Sequence, residues 1–583
     1  MTRRFQFRPF SQPLHAKWLM IAAVLLFFFL AVSSMVNDSP TMDEQNHLAR
    51  GLAFLKTGDP RLSLEHPPLI NSLSALPVLT LPNIRLPTDH PSWNLPQGWY
   101  AFAEQLLWVY NHDVTRMIFL ARLPIIFLTI GLALTGFHFA HQVWGRSSGL
   151  AAFLLLLFDP NIMAHGRYTT TDIGGTLFLF LAAFLLWRCW QESRWRWQSV
   201  LIAALGLGLA FGSKLSTLGF VPILGLLALL PLYNQPWTVK AALQRLAKFL
   251  LAGLLSILVV WAIFGFQWGP FAFQSDPFTK LNSHSGPMPT FWAGIEQILT
   301  ISSGGRPTFL LGQFSDNGFL SYFPIAFLVK TPLPILVLLL LAIILLLYKR
   351  ETRKRAFFFV IPAVLYFLLS MQSALNIGYR HLLPMLPFLY LFISGLTITR
   401  LPLKNNELRI TNNELRITNY ELPITSQTVV TILLLFLIAA NLWIYPNYLS
   451  YFNLAVGGPE KGGDILIDSN IDWGQDLLRL KDWMADNGVE RVKLSWFGSA
   501  DPAYYGINYE PLPGFPRHLD LWWDVPFNTA NPEPGIYAIS ISDLWELPLE
   551  DKVVFPWFRA REPDDRVGYS ILIYRVGEDE TAQ

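Results

Sequence analysis

Long apolar runs follow one another through most of this chain and decide its fold class before any motif is read. They lie at residues 18–36, 117–138, 147–164, 173–190, 199–212, 215–232, 248–266, 322–348, 356–371, 382–398 and 428–445. Runs of this kind cross a hydrocarbon layer of roughly 30 Å as helices, so about eleven spans are expected. Composition agrees, because 52% of the 583 residues are hydrophobic and only 14% charged; soluble domains carry about 25% charged residues. The 43 basic and 41 acidic residues are too evenly balanced for an electrostatic nucleic-acid binder. A single cysteine, Cys189, allows neither an internal disulfide nor a thiolate metal site.

Charge orients the spans. Arg3, Arg4, Arg8 and Lys17 precede the first run and favour a cytoplasmic N-terminus. That run exceeds the roughly 7–15 residues of a signal-peptide core, so it reads as an uncleaved span despite the small residues Ala31 and Ser33. Alternate loops then carry Arg146; Arg188, Arg194 and Arg196; Lys240, Arg245 and Lys248; and Lys349, Arg350, Arg353, Lys354 and Arg355. These are the loops expected inside. An odd number of crossings puts residues 446–583 outside, with two large outer loops at about 37–116 and 267–321. The expected protein is an integral membrane protein, placed in a bacterial plasma membrane. It has a transmembrane unit over 1–445 and a small extracytoplasmic α/β domain over 446–583. Within that domain, Ile465–Asp468, Val492–Phe497, Gly535–Ile541 and Gly568–Val576 read as strands. Asp472–Asn487 reads as an amphipathic helix closed by Gly488.

One cytoplasmic loop, 405–425, reads NNELRIT, NNELRIT, NYELPIT. Leu408 and Ile410 are two apart, so the repeats form no coiled-coil seam. They read as a tandem duplication in a tolerant loop, and their removal is expected to leave activity intact.

The informative residues are ionisable groups at span ends, where a charge is costly unless it pairs or works. Asp43-Glu44 follows the first span, with Glu65-His66-Pro67-Pro68 in the same loop. An acid there suits a general base; it equally suits the first turn of a helix, and the prolines suit a rigid turn. Asp159, His165-Gly166-Arg167 and Thr171-Asp172 crowd the next outer loop. Helix capping accounts for Thr171 or Asp172 but leaves His165 and Arg167 unexplained. Lys214 lies between two apolar stretches, where it either works or snorkels to headgroups. Arg380-His381 stands at an outer boundary against the inside bias of arginine, and Arg holds phosphate bidentately. The same rim therefore offers candidate bases Asp43, Glu44 and Asp172, and candidate anion holders His66, Arg167, Lys214, Arg380 and His381. Transfer from a lipid phosphate needs both: a base for the nucleophile and cations for the leaving phosphate. No P-loop, HExxH or nucleophile elbow is visible.

In order along the chain, these segments resemble the polytopic, lipid-phosphate-dependent glycosyltransferases of the GT-C fold. More specifically, they resemble the protein O-mannosyltransferase-like group, glycosyltransferase family 39. The resemblance is carried by Asp43-Glu44, Glu65-His66-Pro67-Pro68-Leu69, Leu120-Ala121-Arg122-Leu123-Pro124, the stretch from Asp159 to Asp172, Gly212-Ser213-Lys214 and Tyr379-Arg380-His381-Leu382-Leu383-Pro384. It implies inverting sugar transfer from a polyprenyl-phosphate-linked donor in the membrane to a protein, lipid or glycan acceptor at the outer face. By resemblance Asp43 is the catalytic base with Glu44 its neighbour, His66 a phosphate contact, Asp172 the second acid, and Arg380 with His381 the late basic pair. No cofactor is implied, and a divalent metal stays open. The 267–321 loop is too short for the β-trefoil of members that glycosylate proteins, which brings lipid or glycan acceptors forward. The stretch from Asp468 to Leu477 resembles a segment of some bacterial members. Asp468, Asn470 and Asp472 there form a candidate ligand loop, or else they cap a helix beside a buried Trp473. A transporter or flippase of a lipid-linked sugar is the alternative, although its charges would sit near the bilayer midplane.

Overall fold

The protein is described by a computed structural model covering residues 14–95, 98–233, 235–348, 350–399, 404–411, 414–421, 425–514, 527–548 and 552–578. Arg3, Arg4, Arg8 and Lys349, which bear on orientation, lie outside the described residues. Each of the eleven apolar runs is helical. The main chain enters through α1 (Leu14–Met35) and then folds a compact cap from α2 (Glu44–Thr57), α3 (Pro68–Ala75) and α4 (Trp99–Glu104). The bundle continues with α5 (Val114–Val143), α6 (Arg146–Phe158), α7 (Pro160–His165), α8 (Asp172–Gln191), α9 (Trp197–Phe211), α10 (Val221–Leu229) and α11 (Val239–Ile263). A second excursion pairs β1 (Trp268–Pro270) with β2 (Ser285–Pro287), then runs through α12 (Pro289–Gly304) to a hairpin of β3 (Thr308–Leu310) and β4 (Gln313–Ser315). Helices α13 (Tyr322–Lys330), α14 (Leu333–Tyr348), α15 (Arg350–Met371), α16 (Leu386–Ser394) and α17 (Ser426–Ile444) complete the bundle.

Among the described residues, seven helices are long and apolar enough to cross a membrane, and the pair α13 and α14 makes an eighth span bent by 110°. Three further runs read as spans, those of α6, α9 and α10, are shorter. The α13–α14 break leaves four successive carbonyls without helical partners, and each finds one elsewhere. Asn453 supplies its Nδ2 to Leu328 O (2.7 Å) and Thr331 O (3.0 Å) and its backbone N–H to Val329 O (2.9 Å). The Asn161 amide donates to Lys330 O at 2.8 Å. Unsatisfied backbone in hydrocarbon costs several kcal/mol, roughly, per group, so these two asparagines are what allow the bend.

The heptad repeat forms an antiparallel hairpin of β5 (Lys404–Thr411) and β6 (Glu414–Glu421), with Leu408 opposite Ile417. The two-residue apolar spacing that excludes a coiled coil is the period of a strand.

Beyond α17, helix α18 (Leu477–Asp486) and strands β7 (Val492–Ser495), β8 (Tyr509–Pro511), β9 (Gly535–Ser540), β10 (Asp565–Val567) and β11 (Ile571–Val576) build one sheet in the order β10-β11-β9-β7-β8. Its alternation is plain: Ala538, Ile571 and Ile573 face α18, while Tyr537, Ile539, Leu572 and Tyr574 join the core that continues into the helical bundle. Two expectations fail here. Ile465–Asp468 is not a strand, because it bridges two tight helical turns and Asp468 opens the second in the left-handed region at φ +59°. The helix starts at Leu477, not Asp472, because Trp473 and Gln475 give their carbonyls to Met42 N (2.9 Å) and Ser39 N (3.0 Å) instead of to a helix.

Candidate functional site

The turn after α1 delivers Asp43 to the start of α2. Asn46, His47 and Arg50 follow at one-turn spacing, so all four line one cavity of about 560 Å³, while Leu48 and Leu52 pack the opposite face. Arg50 is fixed by its Nε–H to Leu62 O (2.9 Å) and by Glu65 (3.3 Å), and Glu65 also accepts from Gln297 of α12 (3.3 Å). His66 enters from the loop before α3, where Pro68 occupies the first turn. Its Nδ1 pairs with Thr171 Oγ (3.1 Å) and its ring meets His47 edge-on at 4.6 Å. Burial and the nearby Arg50 push His47 down to about 4; burial, His47 and Arg50 hold His66 well below the ordinary histidine range. Both are neutral hydrogen-bonding groups at neutral pH.

The facing wall comes from the other end of the sequence. Asp172 opens α8, but neither it nor Thr171 caps the helix with its side chain. Its carboxylate instead pairs with Lys214, accepts from Thr170 Oγ (3.1 Å) and lies 4.0 Å from Arg380. Gly175, one turn on, lets Lys214 approach: a Cβ there would lie 2.9 Å from the Lys214 Cβ. Arg380 donates to Asp43 at 2.7 Å, rests its guanidinium 4.3 Å from the Trp473 ring, and keeps Nε without a partner. His381 lines the same cavity, its Nε2 also free. Burial would raise the Asp43 carboxyl, but Arg380, His47 and Arg306 outweigh it and hold Asp43 below the usual carboxylate range. The cavity thus brings together Asp43, Asp172, His66, Lys214, Arg380 and His381.

Glu44 and Arg167 are not among the cavity's lining residues. Glu44 is fully buried; both its oxygens engage Arg122 (2.9 and 2.7 Å) and accept from the backbone of Thr169 (2.8 Å) and Thr41 (2.9 Å). No lone pair is left to act as a base. Arg167 pairs with Asp38, whose other oxygen takes Arg479 at 2.5 Å; Arg479 in turn pairs with Asp476. The side chain that caps a helix in this loop is Asp159, not Thr171 or Asp172: it accepts from Asn161 N (2.6 Å) and Ile162 N (3.1 Å) at the start of α7. His165 is buried edge-on against Trp473, 5.9 Å between ring centres.

The candidate ligand loop is likewise absent from the cavity lining. Asn470 is spent on the Tyr379 backbone and Tyr322, and Asp472 accepts from Ser542 N at 3.1 Å. Neither caps α18. Burial lifts the Asp472 carboxyl well above the ordinary range, and it lifts Asp468 to about 6 against the pull of Arg380. Sequence reasoning missed Asn46, His47, Arg50, Tyr100 and Arg306, all of which line the cavity. The polar stripe Asp43, Asn46, His47, Arg50 carried a helical period that would have found three of them; exposed Arg306 had no such signal. Among the described residues, no group of three His, Cys, Asp or Glu side chains is arranged to hold a metal ion.

No curated protein sequence matches this chain. Among solved structures it is similar to ArnT from Cupriavidus metallidurans bound to undecaprenyl phosphate, at 12% identity over 98% of this chain and 100% of that one, with a TM-score of 0.45. The apo state of the same protein gives 12% identity, 96% and 98% coverage and a TM-score of 0.44. The Archaeoglobus fulgidus oligosaccharyltransferase tethered with an acceptor peptide matches at 10% identity over 66% of this chain and 50% of that one, with a TM-score of 0.35. Residues 113–264, from α5 through α11 and including Asp172 and Lys214, match the family model described as dolichyl-phosphate-mannose-protein mannosyltransferase. Over that segment, about a quarter of its length, the chain is similar to this family.

Proposed function

We propose that this protein is an inverting glycosyltransferase that moves a sugar from a polyprenyl-phosphate carrier to an acceptor hydroxyl or amine at the outer face of a bacterial plasma membrane. The observation that carries this reading is the cavity itself, where Arg380 pairs with Asp43 and lies within ion-pair reach of Asp172, and Lys214 pairs with Asp172. In the proposed step the acceptor attacks the anomeric carbon and gives its proton to Asp43. The bond to the phosphate oxygen breaks on the opposite face, which inverts the centre. The leaving lipid phosphate takes up the charge, and Lys214 and the free Nε edge of Arg380 stabilise it. His66 and His381 contribute as neutral donors. Asp172 orients both cations. Glu44 and Arg167 serve as scaffold. Leu215, Ile298, Tyr366 and Leu369 also line the cavity and suit an apolar carrier.

The experiment is to incubate purified protein with a panel of radiolabelled polyprenyl-phosphate sugars and extract the products against lipid, glycan and peptide acceptors. The expected result is a labelled acceptor that disappears in Asp43→Asn. Folded protein that transfers nothing from any donor overturns the proposal. The bent α13–α14 span is a form that transporters use, so the same donors are also followed across proteoliposomes. Translocation without product favours the flippase alternative.

A further inference from the structure

Asp43 and Arg380 meet although 337 residues separate them. Neither position is set by its own element alone: Asp43 sits in the turn between α1 and α2, and Arg380 follows Gly378, whose backbone adopts φ +155°. The segment Ser469–Gln475 lies between these two stretches and bonds to both. Toward Arg380, Asn470 Oδ1 accepts from Tyr379 N at 2.9 Å, and Ser469 Oγ donates to Ile377 O. Toward Asp43, Met42 N donates to Trp473 O at 2.9 Å, and Ser39 bonds Gly474 O and Gln475 O at 2.8 and 3.0 Å. Between them, the Trp473 ring supports the Arg380 guanidinium at 4.3 Å.

The segment is itself held rigid. Gln475 closes its turn by accepting from Trp473 N (2.8 Å) and donating to Ile471 O (2.9 Å), and Asn470 donates to Tyr322 Oη at 2.9 Å. Trp473 and Asn470 are both buried. An arginine lying on an aromatic face keeps its planar fork but loses its freedom to swing. Its N–H edges are then directed to Asp43 and to the cavity.

We infer that Ser469–Gln475 is a template that sets Arg380 against Asp43, with Trp473 and Asn470 as positioning residues. The C-terminal part of the chain thereby completes the site instead of merely sitting beside it. The consequence for rate rests on the transfer reading above; the placement of Arg380 does not.

The test compares Trp473→Leu, which keeps apolar bulk but removes the ring face, with Trp473→Phe, which keeps a ring. Arg380 is followed by phenylglyoxal labelling with peptide-resolved mass spectrometry, with Arg50 as the internal control and the thermal midpoint as the check on folding. In Trp473→Leu, Arg380 is expected to label about fivefold faster at unchanged Arg50 labelling. Trp473→Phe is expected to stay near wild type. For transfer, the leucine variant is expected to lose roughly tenfold to a hundredfold in kcat with the acceptor KM kept, and phenylalanine is expected to rescue it. If Trp473→Leu does not fold, Asn470→Ala takes its place with the same expected labelling. Unchanged Arg380 labelling in a folded variant overturns the inference whatever activity does. Faster labelling in a protein that transfers no sugar supports the template and counts against the transferase reading alone.

Discussion

Two groups of charges lie within one helical turn of each other and do opposite things. One is closed: Glu44 with Arg122, and Asp38 with Arg167 and Arg479, which also holds Asp476, so that three carboxylates meet three guanidinium groups. Further bonds run from Tyr168 to Asp38 (2.8 Å) and from Ser570 to Asp476 (2.7 Å), and among these carboxylates and guanidinium groups Arg167 Nε keeps no partner. The other is open: the Asp43 side chain stays 26% exposed against 0% for Glu44, and Asp43, Asp172, Lys214, Arg380 and His381 all line the cavity. Residue type does not separate the two groups, and neither does sequence distance. What separates them is access to the cavity. A buried ion set away from the cavity is scaffold that locks the cap and α18 onto α5, whereas a charge that lines a cavity is one that a ligand can complete.

The sharpest way to break this contrast is Asp43→Asn. Removing the base is expected to lower transfer by roughly 10²–10⁴-fold with the thermal midpoint held, measured as initial rates on the labelled donor. A variant that keeps full activity removes Asp43 from the step. Next comes Arg122→Met in the closed set, which strands Glu44 without a counter-ion. It is expected to cost ~3–5 kcal/mol of stability in denaturant unfolding, with activity lost only in proportion to the folded fraction. A folded, inactive variant would move Arg122 into the open group.

The smallest effect is pH-dependent and sharpens the description of the cavity. His47, held at about 4, is neutral in the folded protein, whereas an unfolded histidine protonates near 6.5. A base whose folded value is depressed contributes stability that is whole above the unfolded value and drains away as pH falls, levelling off near the folded one. The expected slope is about 1.4 kcal/mol per pH unit for each such histidine. Asp468, raised to about 6, works in the opposite direction, so the readout is a difference: His47→Gln should flatten the wild-type loss between pH 6.5 and 4 by one proton's worth. Parallel curves for the two proteins would mean that His47 is already charged in the folded state.

The helical bundle was legible because a lipid-facing helix must advertise itself over some twenty residues of apolar sequence. The broken span also reads as one run, since hydropathy is blind to a bend whose carbonyls are satisfied by Asn161 and Asn453 from elsewhere. Within the site, Asp43, Asp172, Lys214 and Arg380 stood out as charges at span ends. From their own positions Asp43 and Glu44 could not be told apart, and only the family resemblance marked Asp43 as the base, because which of two neighbours faces the cavity depends on the angle at which α2 leaves the turn. Asp468–Asp476 was unreadable for a related reason: its asparagine, tryptophan and glutamine contact Tyr379, Arg380, Met42 and Ser39, partners remote in the sequence, the nearest of them 91 residues away.

The bend between α13 and α14 has a mechanical meaning. An interrupted membrane helix is where such proteins commonly flex, but here Leu328, Val329, Lys330 and Thr331 all have their oxygens engaged by two side-chain amides and one backbone N–H from other parts of the fold. Straightening that corner would strip four bonds at once in a medium that offers none in return. The corner is a fixed elbow, and any widening of the cavity falls to the cap above it, where Gln297 of α12 bonds Glu65 at 3.3 Å.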